Sequence, residues 1–233
     1  MAYTFQDEFG GPAGTPPDPA KWTYDLGAGG WGNNEAEIYT NLTENCFQDG
    51  NSNLVIRATR HIRMGRPSYC SARIKTLGKF QQYLGHFEAR IKVNSHPGLW
   101  PAFWLMADGV GGKDWPEGGE IDILEDYGQN VIQSTVHTPA PESSTYNVAQ
   151  DISGDDNFHV YRLDWTPDEL SFSKDGTQYF TVTRNELANW CYASPDPLYI
   201  VLNLAVGGEA GSPAHGRYPA EYIIDYVRVW QLL

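Results

Sequence analysis

The feature that most restricts this chain is a hydrophobic period of two that recurs almost from end to end. His86-Phe87-Glu88-Ala89-Arg90-Ile91-Lys92-Val93 alternates polar and apolar residues, as do the runs from His159 to Trp165 and from Tyr222 to Trp230. That period sends successive side chains to opposite faces of a strand, so each run reads as a half-buried strand. The runs from Glu169 to Ser173 and from Gln178 to Thr183 flank Lys174-Asp175-Gly176, and Asp-Gly between two such runs predicts a hairpin. Leu198 to Val206 is nearly continuous apolar sequence, as expected of a strand buried on both faces. The best helical stretch, Arg184 to Trp190, is two turns at most. The 24 glycines and 15 prolines are spread through connections rather than collected in a linker. These patterns predict one all-β domain over residues 1–233, a β-jelly-roll sandwich of two antiparallel sheets.

Charge narrows the function classes. With 16 Lys+Arg against 29 Asp+Glu the formal charge is −13, and that field repels phosphate. Nucleic acid and anionic membrane surfaces are therefore not expected partners. No apolar run approaches the roughly 18 residues of a spanning helix. The segment Met1 to Phe9 has neither a basic n-region nor an apolar h-region, so any signal peptide is expected to be already removed or never present. Cys46, Cys70 and Cys191 form no C-x-x-C pattern, which leaves open one disulfide with a free thiol or three thiols. The 8 Trp and 14 Tyr suit half-wet positions facing a neutral polysaccharide, and equally suit sandwich cores and strand ends.

The segment richest in chemistry is Trp115-Pro116-Glu117-Gly118-Gly119-Glu120-Ile121-Asp122-Ile123-Leu124-Glu125. A strand that buries Ile121 and Ile123 points Glu120 and Asp122 the other way. Strict alternation would then bury Glu125, whereas one inserted bulge residue returns it to the face of the other two acids. Three aligned carboxylates raise one another's pKa, a cost that glycoside hydrolysis requires. One carboxylate acts ionised as nucleophile and one protonated as acid, with oxygens roughly 5–5.5 Å apart in retaining enzymes. Four ladder steps put the Glu120 and Glu125 Cα atoms about 13 Å apart, a gap that converging side chains on a concave strand can close. Asp122 between them can hold a proton that keeps the two pKa values apart. A cation site and a solvated acidic edge are the structural alternatives.

Glu-Ile-Asp-Ile-Leu-Glu resembles the E-x-D-x-x-E signature of glycoside hydrolase family 16, in the bulged form of its laminarinase-like endo-β-1,3-glucanases. Further blocks resemble the family in order along the chain: Gly30-Trp31-Gly32-Asn33-Asn34-Glu35, Ser71-Ala72-Arg73-Ile74-Lys75-Thr76 and Gly98-Leu99-Trp100-Pro101-Ala102-Phe103-Trp104. Leu202-Asn203-Leu204-Ala205-Val206-Gly207-Gly208 and Ile224-Asp225-Tyr226-Val227-Arg228-Val229 continue the series.

The resemblance implies a concave sheet forming an open cleft for a glucan chain. It makes Glu120 the nucleophile, Asp122 its electrostatic assistant, Glu125 the general acid/base, and His137 a leaving-group-side residue on the neighbouring strand. Trp100, Trp104 and Trp115 match a glycone-side aromatic platform, with one of Phe103 and Trp104 necessarily core because they are adjacent. Asn34 and Arg73 match residues that bind sugar hydroxyls, although Ala72 stands where relatives usually carry glycine. No cofactor is needed for catalysis. Many relatives hold a structural calcium ion, whose matching ligands here are the carbonyls of Glu8 and Gly50 and the carboxylate of Asp225, an oxygen set that suits this cation.

The expected partner is a β-glucan, laminarin-like or mixed β-1,3/1,4, acted on by a secreted monomer. A non-catalytic β-glucan-binding protein, an agarase and a transglycosylase are the alternatives on the same fold. Retention of both glutamates argues against the first. Sulfated substrates fit poorly with the acidic charge.

Overall fold

In a computed structural model the chain is described over residues 2–109, 115–139, 146–151, 157–193 and 196–232. The described residues form the strands β1 (Tyr3–Asp7), β2 (Thr23–Asp25), β3 (Glu37–Tyr39), β4 (Cys46–Gln48), β5 (Leu54–Arg63) and β6 (Arg66–Ser71). Next come β7 (Arg73–Lys75), β8 (Gly85–Val93), β9 (Leu99–Ala107), β10 (Glu120–Glu125), β11 (Val131–His137) and β12 (Tyr146–Asp151). The series closes with β13 (Phe158–Trp165), β14 (Glu169–Lys174), β15 (Thr177–Thr183), β16 (Leu198–Val206) and β17 (Ala220–Trp230).

Two sheets result. One runs β15-β14-β13-β8-β17-β5-β6-β3, with β1 added to β17 and β4 to β5; the other runs β12-β11-β10-β9-β16-β7-β2. Among the described strands the pairings are antiparallel except β3 with β6. The sandwich expected from the alternation is what forms, and the core lies between the sheets. In β8 the odd positions Phe87, Ala89, Ile91 and Val93 point inward, meeting Phe103 and Leu105 of β9 and Ile121 of β10. Each of the larger side chains among them contributes about 1.5–3 kcal/mol by leaving water. The strand read as doubly buried, β16, is buried at all nine positions.

Local details follow residue chemistry. Asp175 and Gly176 have φ of 51° and 77°, the two left-handed positions that a two-residue hairpin between β14 and β15 demands. The helical candidate at Arg184 shrinks to a single 3-10 turn, Arg184–Glu186, which Glu186 caps by accepting from the Thr183 backbone at 2.6 Å. Residues 146–151, for which the sequence pattern predicts no strand, form β12, which pairs with β11 from Val131↔Asp151 to Val136↔Tyr146. A sheet-edge strand with polar Asn147, Gln150 and Asp151 carries too weak an alternation to stand out. Residues 110–114, 140–145 and 152–156 lie outside the described residues. All three cysteines are thiols, Cys46 and Cys70 buried and Cys191 half-buried.

Candidate active site

Residues directly opposed across antiparallel strands share a face, so the register of the seven-stranded sheet writes out its outer surface in rows. The first row is His137–Glu120–Met106–Tyr199. The second is Thr135–Asp122–Trp104–Val201–Lys75. The third is Gln133–Glu125–Ala102–Asn203–Arg73–Asp25. Residues of this outer face are themselves buried, Ala102 at 4%, Val201 at 0% and Ala205 at 1% exposure, so the rows lie in a recess rather than on an open plane.

The third row exists because of a bulge. Asp122 faces Thr135 and Glu125 faces Gln133, so Ile123 and Leu124 share the place opposite Ser134. Both bulge side chains go to the core and are fully buried. Core burial of two adjacent residues is what an extended strand cannot achieve without a bulge. Glu120, Asp122 and Glu125 consequently line one face, as the sequence anticipates.

Hydrogen bonds fix each acid. Asp122 Oδ2 lies 2.9 Å from His137 Nε2, and Glu120 Oε1 lies 4.0 Å from the same nitrogen. Trp115 hydrogen-bonds to the Glu120 carboxyl, and Glu120 and Asp122 hydrogen-bond to each other. The Tyr192 hydroxyl lies between the carbonyls of Glu120 and His137, 2.7 Å from the former, and ties β10 to β11. Glu125 Oε1 accepts from Trp100 Nε1 at 3.1 Å and Oε2 from Thr135 Oγ1 at 3.2 Å. Tyr127 adds a further bond to Glu125.

Burial is the largest influence on all three acids. It pushes Glu120 up to about 8, with the charge of Asp122 adding and His137 opposing. It pushes Glu125 to about 7 against the lowering bond from Tyr127. It raises Asp122 well above the carboxylate range, with the Glu125 charge adding. The sequence reading has Glu120 ionised and Glu125 protonated, whereas the structure raises both, because burial desolvates both carboxyls and the charge of Asp122 adds to the effect at Glu120. The three carboxyls titrate as a set that carries fewer than three charges near neutrality.

Glu120, Asp122 and His137, the group that could hold a cation, present atoms within 4.8 Å of one another, and Asp122 and His137 are hydrogen-bonded to each other at 2.9 Å.

The aromatic residues divide their work. Trp104 faces the cleft and Phe103 is core, which settles that alternation. Trp115 is 57% exposed with its ring centroid 5.9 Å from that of His137, a free stacking face at the cleft. Trp100 is only 9% exposed, packs 4.8 Å from Tyr127 and serves Glu125 through its N–H. Arg73 is clamped between Trp31 and Trp104, its guanidinium carbon 5.2 and 4.7 Å from the ring centroids, and pairs with Asp25 at 2.9 Å. Asn34 is exposed at φ 58° on a loop turned by left-handed residues at 30, 31 and 32.

The three residues matched to calcium belong to the other sheet and its connections. The side of β17 away from β8 passes from β5 at Ile224↔Leu54 to β1 at Val227↔Asp7, and Asp225 sits at that junction. Glu8 follows β1 directly, and Gly50 lies in the turn between β4 and β5 beside Leu54. A bulge against β8 at Asp225 re-aims its side chain, whose Oδ2 accepts from Arg90 at 2.5 Å. Two carbonyls and a carboxylate are donors of the kind a hard cation takes, and the Asp225 carboxylate is here paired with Arg90.

Several cleft residues were not singled out from sequence, among them Tyr127, Thr135, Tyr192, Tyr39 and Asn203. The one with a legible signal is Asn203, the single polar residue in the apolar run of β16, which burial obliges to find partners.

Known proteins agree with this geometry. The model of glycosyl hydrolases family 16 matches residues 34–228. A β-glucanase of Rhodothermus marinus is 36% identical over 92% of this chain and 80% of its own length. A glucan endo-1,3-β-glucosidase of Cryptopygus antarcticus is 34% identical, covering 97% and 90%. Other relatives are far longer: the chain spans 38% of glucan endo-1,3-β-glucosidase A1 of Niallia circulans, at 31% identity. Among solved structures, the endo-β-1,3-glucanase from Pyrococcus furiosus superimposes with a TM-score of 0.87 at 35% identity, covering 99% of this chain and 94% of that one. The matched segment runs from the Asn34 loop into the last strand and contains the whole bulged carboxylate strand with its histidine neighbour, and the chain belongs to glycosyl hydrolase family 16.

Proposed function

We propose that this chain is a retaining endo-hydrolase of β-1,3-glucosidic bonds in β-glucans of the laminarin type, with mixed β-1,3/1,4-glucans as further substrates. The observation that carries the reading is the bulge at Ile123-Leu124, which puts Glu120, Asp122 and Glu125 on one face of a recessed cleft. The glucanase names of the relatives supply the substrate class.

In the first step a Glu120 oxygen attacks the anomeric carbon while Glu125 gives its proton to the leaving oxygen, so the glycosidic bond breaks and a glycosyl ester forms. Glu125, now a carboxylate, then takes a proton from water. The hydroxyl attacks the same carbon and returns Glu120 as a carboxylate. Two inversions retain the β configuration. Burial holds the proton on the acid at the pH of the reaction, and Asp122 moves its proton toward Glu120 as negative charge returns there. His137 orients Asp122 through the 2.9 Å bond. Trp115 and Trp104 offer apolar faces to the sugar rings, and Asn34 offers amide groups to the hydroxyls.

Three further features belong to this proposal. Polymeric glucans lie outside cells, so the enzyme acts as a secreted protein, and we take it to work as a monomer. The Glu8 and Gly50 carbonyls and the Asp225 carboxylate would hold a calcium ion, which would contribute to the stability of the fold and not to the chemistry. No cofactor takes part in the chemistry.

The test is a product profile on laminarin, lichenan, barley glucan and agarose. Internal cleavage of laminarin, with oligosaccharides appearing before glucose, is expected. Cleavage of agarose alone would overturn the assignment.

A further inference from the structure

Asn203 lies in the third row, beside Ala102 and two positions from Glu125, and is 6% exposed. Its partners leave no freedom in how protons are placed. Trp104 Nε1 can only donate, so the Asn203 atom 2.7 Å away is the acceptor Oδ1. The other end is then Nδ2, which donates to the Tyr39 hydroxyl oxygen at 3.2 Å. Tyr39 must direct its own proton elsewhere, and Glu35 Oε2 lies 3.1 Å away. Glu35 Oε1 in turn accepts from Asn33 Nδ2 at 3.0 Å, on the loop that carries Asn34.

The result is a one-way donor chain, Trp104 to Asn203 to Tyr39 to Glu35, ending on the Asn34 loop. Trp104 is thereby held twice. Arg73 lies over its face, 4.7 Å from the centroid, and Asn203 holds its edge. A face contact leaves the ring free to turn in its own plane, and the edge bond removes that freedom. Close packing supports the far end: a Cβ on Gly208 would stand 2.9 Å from the Asn33 carbonyl and 3.4 Å from both Glu35 and Trp100.

We infer that Asn203 is a positioning residue for substrate binding: it orients the Trp104 platform, and Tyr39 with Glu35 sets the direction of the Asn203 amide. The inference rests on the glucanase reading only for the identity of the sugar that Trp104 meets. None of these residues touches the reacting atoms. Their loss acts on affinity through Trp104.

The experiment is a double-mutant cycle on laminarin oligosaccharides with Asn203→Leu, Trp104→Phe and the pair. Asn203→Leu is expected to raise KM about tenfold, as for a buried donor left unpaired, with kcat within about twofold. In the Trp104→Phe background, where no indole N–H remains, the same substitution should change KM little. Tyr39→Phe removes one oxygen and should move KM the same way by less; it carries the test if circular dichroism shows Asn203→Leu misfolded. Equal KM effects in both backgrounds, or a fall in kcat at constant KM, would overturn the inference. Repeating the cycle as laminarin affinity in a Glu120→Gln background separates the two claims. Absent laminarin binding by every form defeats the glucanase reading, whereas binding that ignores Asn203 defeats the positioning role alone.

Discussion

Asp122 and Glu125 are three positions apart in the chain but stand opposite Thr135 and Gln133, two ladder steps apart. That compression decides whether this protein has a catalytic pair. In a regular strand Glu125 would enter the core as an unpaired buried charge, and Leu124 would face the cleft. The bulge exchanges them, and Trp100 and Thr135 then supply the hydrogen bonds that a buried carboxylate needs.

The stereochemical outcome follows from this alignment. Early proton NMR of laminarin hydrolysis should show the β-anomer as first product, with α appearing only by mutarotation. Deleting Leu124 leaves Glu-Ile-Asp-Ile-Glu, which still alternates correctly and should keep part of the activity. Inserting one more residue after Leu124 turns the acid into the core and should abolish it. An α-anomer appearing first would remove the roles given to both glutamates.

Glu120→Gln should lower turnover by roughly three orders of magnitude or more, because an amide cannot form the glycosyl ester. Laminarin affinity should survive or increase, since the cleft walls are intact. Isothermal titration beside kinetics checks both halves.

The pH–rate profile should be bell-shaped, because one carboxyl must be ionised while the other holds its proton. The descending limb follows loss of the proton from Glu125, which burial places near 7. The Tyr127 bond favours the ionised form of Glu125. Tyr127→Phe should therefore raise the pKa of Glu125 and move the descending limb to higher pH. A limb that stays in place in this variant would dissociate it from Glu125.

The same acids shape stability with a definite sign. Glu120, Asp122, Glu125 and the buried Glu37, itself near 8, all have folded-state values above their unfolded ones. The native state thus holds protons that the unfolded chain has released, and its stability is full below about pH 4 to 5 and declines as pH rises through 7 to 8. Tm should fall over that window by several degrees, at about 2–4 °C per kcal/mol for a chain of this size. Glu120→Gln, which removes one such group, should flatten the decline and melt higher than wild type at pH 8. Differential scanning calorimetry from pH 5 to 8 measures this.

Chelation tests the corner at Asp225. EGTA should lower Tm while room-temperature activity stays largely intact, because that corner belongs to the sheet opposite the acids. Asp225→Asn should remove the response to EGTA. Immediate loss of activity at unchanged Tm would instead place a cation among Glu120, Asp122 and His137.

What the sequence by itself determined is the part of this protein governed by local periodicity. Alternation in β8, β13 and β17 set the strands, Asp175-Gly176 set a hairpin, and the spacing of Glu120, Asp122 and Glu125 around apolar neighbours set the bulge, because each depends on which face a residue can bury. Tertiary structure decided what depends on residues far apart in the chain. Register alone brought His137 against Asp122, assigned Trp100 to Glu125 rather than to open stacking, and clamped Arg73 between Trp31 and Trp104. The Trp104–Asn203–Tyr39–Glu35 chain joins three segments whose order in space no local pattern encodes. The proton levels of the acids were likewise a tertiary matter, because desolvation depends on everything packed around a carboxyl, and here it raised Glu120 along with Glu125.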